Sequence, residues 1–116
     1  MHNEMEAFSA IGVKNSTSLV MLNLGSNPIG LKGITYFIEQ GLKFNKSLRF
    51  LDLFDIDVTD KSIPGFVDAL ESNTSLVSLR MANTHVTIPF VKMFWDYIKN
   101  HPTIASLKWL NIDARY

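Results

Sequence analysis

Three stretches of this chain align in one register: NSTSLVMLNLGSNPI from Asn15, NKSLRFLDLFDIDV from Asn45 and NTSLVSLRMANTHV from Asn73. A weaker fourth, HPTIASLKWLNI, starts at His101. Their leading apolar residues, Leu19, Leu48, Leu76 and Ile104, fall 29, 28 and 28 residues apart. This period constrains the fold more than any other property of the chain. A unit so short cannot bury its own apolar face, and it has to stack on copies of itself.

Within each unit the order is apolar-x-x-apolar-x-apolar. The triplets are Leu19, Leu22, Leu24; Leu48, Leu51, Leu53; Leu76, Leu79, Met81; and Ile104, Leu107, Trp109. LKWLNI from Leu107 fits the template as well as IASLKW from Ile104. The last two members of each triplet alternate with other residues at period two, which predicts a short strand buried on one side. Between the strands the period becomes helical. Ile34, Phe37, Ile38 and Leu42 share one helix face, as do Ile63, Phe66, Val67 and Leu70, and then Phe90, Met93, Phe94, Tyr97 and Ile98. Ser62 before Ile63-Pro64 and Thr87 before Ile88-Pro89 read as helix starts, where proline is tolerated. Strand-helix units in series imply parallel strands joined by right-handed crossovers. Stacked at this period they form an α/β solenoid, with strands on the concave face and helices on the convex face.

The stretch LVMLNLGSNPI, residues 19 to 29, has the form L-x-x-L-x-L-x-x-N-x-I, which resembles a leucine-rich repeat. The 28- to 29-residue period with a full helix resembles the ribonuclease-inhibitor-like class, which includes the repeats of NLR proteins and tropomodulin-type actin-capping domains. The resemblance covers roughly residues 15 to 112. It implies a right-handed β/α solenoid and a non-catalytic protein-binding role. The chain departs from the family after the strand, where the expected polar residue is present as Asn27 but is replaced by Ile56, Thr84 and Ile112. The polar ladder that ties the turns is therefore incomplete.

One domain is expected over residues 1–116: repeats at 15–44, 45–72 and 73–100, and a partial terminal repeat at 101–116. Residues 1–14 read equally as an N-terminal cap helix and as the tail helix of a preceding repeat. Asn3 with Glu6 fits a capping box, and Met5, Phe8 and Ile11 lie on one face. Trp109 and Tyr116 are placed to cover the last strand.

Eleven basic residues balance eleven acidic ones, so no overall field favours nucleic acid or an anionic membrane. The absence of cysteine excludes disulfides, thiolate nucleophiles and Cys-ligated metals. The N-terminal segment lacks the charge pattern of a signal peptide, and no run reaches the ~20 apolar residues of a membrane span. A cytoplasmic protein is the expectation. Asn15-Ser16-Thr17, Asn45-Lys46-Ser47 and Asn73-Thr74-Ser75 fit the N-glycosylation pattern, but their common register makes them one repeat motif copied three times.

Catalytic or metal-binding groupings are lacking. His2, His85 and His101 fall at unrelated points of the repeat. The run DLFDIDVTD (Asp52, Asp55, Asp57, Asp60) lacks the glycine and terminal glutamate of a calcium loop, and Asp57 and Asp60 are assigned to the turn and the helix start. GSNPIGLKG lacks a phosphate-binding signature, and no nucleophile elbow is present. No enzyme, cofactor or metal is expected.

Function is expected on the concave columns, at the third, fifth, seventh and eighth positions of each unit. These read Met21, Phe50, Ser78, Ser106; Asn23, Asp52, Arg80, Lys108; Gly25, Phe54, Ala82, Leu110; and Ser26, Asp55, Asn83, Asn111. Asp52 and Arg80 become lateral neighbours at the ~4.8 Å strand spacing. Phe50 and Phe54, flanked by Met21, have the aromatic composition of a hot spot. The partner-binding set is therefore Met21, Asn23, Phe50, Asp52, Phe54, Asp55, Ser78, Arg80, Asn83 and Lys108. The alternative is a structural or assembly role, through self-association or as part of a longer array.

Overall fold

The alternating triplets form strands and the helical stretches form helices, in strict succession along the chain. The computed structural model describes residues 12–56, 58–82, 84–100 and 107–112. The strands are β1 (Met21–Asn23), β2 (Phe50–Asp52), β3 (Ser78–Met81) and β4 (Trp109–Ile112). They make one parallel sheet in the order β1-β2-β3-β4. Between them lie α1 (Gly30–Tyr36, continued by a π-helical turn Phe37–Leu42), α2 (Ile63–Ser72) and α3 (Ile88–Asn100). None of these helices is long and apolar enough to cross a membrane.

Pairing brings the middle members of the triplets into one inward row: Leu22 beside Leu51, Leu51 beside Leu79, and Leu79 beside Leu110. The helices close over that row. Ile34, Phe37, Ile38 and Leu42 of α1 are buried, as are Ile63, Phe66 and Leu70 of α2 and Phe94 of α3. The rings of Phe66 and Phe94 meet at 6.3 Å, joining α2 to α3. Burial is greatest in the middle of the stack: Leu48, Leu51 and Leu53 are buried, whereas Leu19, Leu22 and Leu24 are only partly so. Among the described residues β1 has one neighbouring strand and β2 has two.

The structure departs from the expected pattern in three places. The fourth unit takes the Leu107 register: Ser78 pairs with Trp109, Leu79 with Leu110 and Met81 with Ile112. Trp109, expected in the core, is 69% exposed on the other sheet face, and Leu110 takes the inward position. Met93, expected on the buried face of α3, is 50% exposed, because α3 packs on one side against α2 and has no following helix among the described residues. Finally, Thr59 rather than Ser62 caps the second helical segment. Its hydroxyl accepts from Lys61 N, Ser62 Oγ accepts from Thr59 N, and a 3-10 turn (Asp60–Ser62) leads into α2. Thr87 does precede α3, and both carboxylate oxygens of Asp60 accept from it, one from its N–H and one from its hydroxyl, each at 2.8 Å. Most of the expected N-terminal helix, and Tyr116, lie outside the described residues.

Two of the three asparagines of the repeated motif, Asn45 and Asn73, are structural, whereas Asn15 is exposed. Asn45 and Asn73 are 0% and 1% exposed. The Asn73 carboxamide donates to the carbonyls of Leu42 (2.9 Å) and Asn45 (2.8 Å), and its oxygen accepts from the N–H groups of Ser75 and Leu76, both at 2.9 Å. Asn45 repeats this one unit earlier, donating to Val13 O and accepting from Ser47 and Leu48. The hydroxyls of Ser47 and Ser75 reach the carbonyls of Leu19 and Leu48 in the preceding unit. Each Asn-x-Ser-Leu step thus satisfies backbone groups that the turn would otherwise bury without partners.

Candidate functional site

Residues that alternate with the inward leucines stand on the open face of the sheet. Two rows cross it. The third-position row runs Met21, Phe50, Ser78, Trp109, and the fifth-position row runs Asn23, Asp52, Arg80, Asn111. The first row exposes large apolar surface: Met21 is 68%, Phe50 41% and Trp109 69% exposed, with half-buried Ser78 low between the two aromatics. Such a cluster is unusual on a surface that meets only water.

The polar row is organised from below. Asn23 Oδ1 accepts from Gly25 N (2.7 Å), and Asp52 Oδ1 accepts from Phe54 N (2.9 Å), so each side chain closes the turn that ends its strand. The other Asp52 oxygen pairs with Arg80 Nη1 at 3.0 Å, across the β2–β3 register. The Arg80 guanidinium lies 4.8 Å from the Phe54 ring centroid, which sets it between a carboxylate and an aromatic face. Side-chain exposures of 46% for Arg80 and 25% for Asp52 leave this pair within reach of a partner. A shallow depression of about 240 Å³ runs over Met21, Phe50, Ser78 and Arg80.

The turns beyond the strands are tight. Ser26 and Asp55, at equivalent positions, adopt left-handed backbone with φ of 59° and 56°. Asp55 Oδ2 accepts from Ser26 Oγ at 3.4 Å. A Cβ on Gly25 would lie 2.9 Å from Asn23 Oδ1 and 3.1 Å from the Phe54 carbonyl, so the close approach of the first two turns requires glycine there. After the strands, Asn27 Nδ2 donates to Leu24 O, and Thr84 Oγ1 donates to the equivalent Met81 O. Thr84 therefore does locally what the missing asparagine was expected to do, while Ile56 joins the core.

Of the expected set, Met21, Asn23, Phe50, Asp52, Ser78 and Arg80 come together on one face, with Phe54 and Asp55 at its end. Asn83 lies outside the described residues. Lys108 does not join them: in the Leu107 register it precedes β4, with its N–H on Val77 O, and Asn111 takes the fifth position. As a consequence Trp109 was missed, and Asn111, expected in the eighth-position column, stands in the fifth. The signal that finds them was the equally good fit of LKWLNI to the triplet.

Among the described residues no group of three acidic or histidine side chains is placed to hold a metal. The acidic run is spent on separate tasks: Asp52 meets Arg80, Asp55 meets Ser26 and Asp60 holds Thr87. His85 is exposed, in an isolated parallel bridge with Thr59, its N–H on Val58 O.

No family model matches the chain. It is 31% identical over 102 residues to human NACHT, LRR and PYD domains-containing protein 2, across 87% of this chain and 10% of that protein. The chain thus spans about a tenth of this curated relative. Among the solved structures that share its fold are two whose domains are described in their names. One is leiomodin-1 actin-binding site 2, with a TM-score of 0.77 and 18% identity over all of this chain and 64% of that one. The other is the tropomodulin C-terminal domain of Caenorhabditis elegans, with a TM-score of 0.72 and 15% identity over 97% of this chain and 62% of that one.

Proposed function

We propose that this chain is one non-catalytic protein-binding domain, a leucine-rich-repeat solenoid of the ribonuclease-inhibitor-like class, and that it binds through its open, concave sheet face. The exposed apolar row of Met21, Phe50 and Trp109 beside the Asp52–Arg80 pair carries this reading. Apolar anchors flanked by oriented charge are the composition of interface hot spots, in which the aromatics supply affinity and the charges supply register. Likeness to a relative named for LRR domains and to an actin-binding site supports a protein as the ligand. Because the leiomodin-1 domain of the same fold is an actin-binding site, actin is the first partner to test. A cytoplasmic site of action belongs to the same reading, since two of the three sugar-acceptor asparagines are buried and engaged.

The test is sedimentation with filamentous actin, alongside capture of partners from cell extract, for the parent and for a variant carrying Phe50→Ala and Arg80→Glu. Both residues are solvent-facing, so the variant is expected to keep the parent's circular dichroism and to lose the partner. A folded variant that retains every partner of the parent refutes the assignment of the face.

A further inference from the structure

Each of the two rows on the open face is complementary to its own reverse. Turned about a line between β2 and β3, the apolar row sets Phe50 against Ser78 and Met21 against Trp109. The polar row sets Asp52 against Arg80 and Asn23 against Asn111. A large side chain meets the low point of the face, acid meets base, and no like charges oppose. We propose that the partner of this face is a second copy of the chain, packed sheet against sheet about a two-fold axis parallel to the strands.

With the axis lying between the facing sheets, midway between β2 and β3, β1 of one copy covers β4 of the other and β2 covers β3. Strand directions stay aligned, as they do in two-sheet packing, and the contact is isologous. Each Asp52 then has two cationic neighbours, its own Arg80 at 3.0 Å and the Arg80 of the second copy. The four charges alternate around the axis, so a pair that is merely an exposed ion pair in one chain becomes the centre of the interface. Met21 and Trp109, the most exposed apolar residues of the face, stand on opposite edge strands and meet across the two rims. A rotation about an axis perpendicular to the strands gives no such match, because it lays the apolar row over the polar one.

This inference rests on reading the open face as the binding surface. Four strands at ~4.8 Å spacing make a footprint below the ~1,200 Å² of stable complexes. The dimer is therefore weak and concentration-dependent, with a Kd on the order of 10 to 100 μM.

Sedimentation equilibrium from about 1 to 200 μM, a range that brackets this Kd, is expected to show the average mass rising from 13.1 kDa towards twice that value. Asp52→Arg alone and Arg80→Asp alone each gather four like charges about the axis, and each is expected to be monomeric throughout. Their equimolar mixture sets two cations of one chain against two anions of the other, so opposite charges face each other across the interface, and it is expected to dimerise again although the in-chain pair is broken in both. Trp109→Ser, at an exposed edge position that does not threaten folding, is expected to weaken association at least ~10-fold, an interface effect of hot-spot size. A parent chain monomeric at every concentration overturns the inference, as does a mixture no more associated than its separate components. A monomeric parent whose Phe50→Ala, Arg80→Glu variant loses another protein partner overturns only the second copy and leaves the binding face standing.

Discussion

Replacing Asn73 by alanine tests the claim that the repeated asparagines hold the units together. Asn73 is 1% exposed and its carboxamide makes four backbone hydrogen bonds. Truncation leaves the Leu42 carbonyl with the Asn45 N–H at 3.3 Å as a remaining partner. The Asn45 carbonyl and the N–H groups of Ser75 and Leu76 lose the bonds they make to Asn73. A buried polar group left unpaired costs about 1–3 kcal/mol, and water reaching half-buried Ser75 recovers part of this. The expected loss is therefore about 3–5 kcal/mol, a large share of the ~5–15 kcal/mol that stabilises a domain of this size. At about 4 °C per kcal/mol the melting temperature falls by ~12–20 °C. Asn27→Ala is the control, because Asn27 also donates to two carbonyls, Leu24 O and Gly25 O, but is exposed, so water replaces its bonds. Its expected cost is below ~1 kcal/mol. Urea unfolding followed by circular dichroism measures both, and the slope is expected to stay constant while the midpoint moves. Equal midpoint shifts for the two variants would refute the reasoning, because burial would then not be what makes these asparagines matter.

Three further perturbations follow from the same geometry. Gly25→Ala drives a Cβ to within 2.9 Å of Asn23 Oδ1 and 3.1 Å of the Phe54 carbonyl, and is expected to cost about 1–3 kcal/mol in urea unfolding. Gly65→Ala in α2 meets only Ile38 Cγ2 at 3.8 Å and is expected to stabilise the chain by ~0.5–1 kcal/mol in the same assay. Asp60→Ala removes both acceptors from Thr87 at the start of α3, and is expected to cost about 1–2 kcal/mol, with faster amide exchange over the first turn of that helix.

The repeat, the inward triplets of the first three units and the buried faces of α1 and α2 were all legible in the sequence. Alternation at period two and recurrence at helical spacing are properties of a segment's own geometry, and Leu48, Leu51 and Leu53 had no other face to occupy once their strand formed. The lateral meeting of Asp52 with Arg80 was legible for the same reason, since equal unit lengths put equal positions side by side. Where the units differ in length that inference fails. Leu76 and Leu107, the equivalent leading positions, are 31 residues apart rather than the repeat's 28 or 29, so local pattern supported two registers and only pairing with β3 chose between them.

The sequence by itself determined which strand residues of the first three units face inward, because there backbone period alone decides it. Tertiary structure decided what depends on a neighbouring unit. It set the exposure of Trp109 and the displacement of Lys108 from the face, both consequences of a strand register fixed by hydrogen bonds to β3. It left Met93 in solvent at the outer side of α3. It also turned a motif that reads as a sugar acceptor into a buried tie. The carbonyls that Asn45 and Asn73 hold come from residues about 30 positions earlier in the chain, and no local reading of Asn-x-Ser contains them.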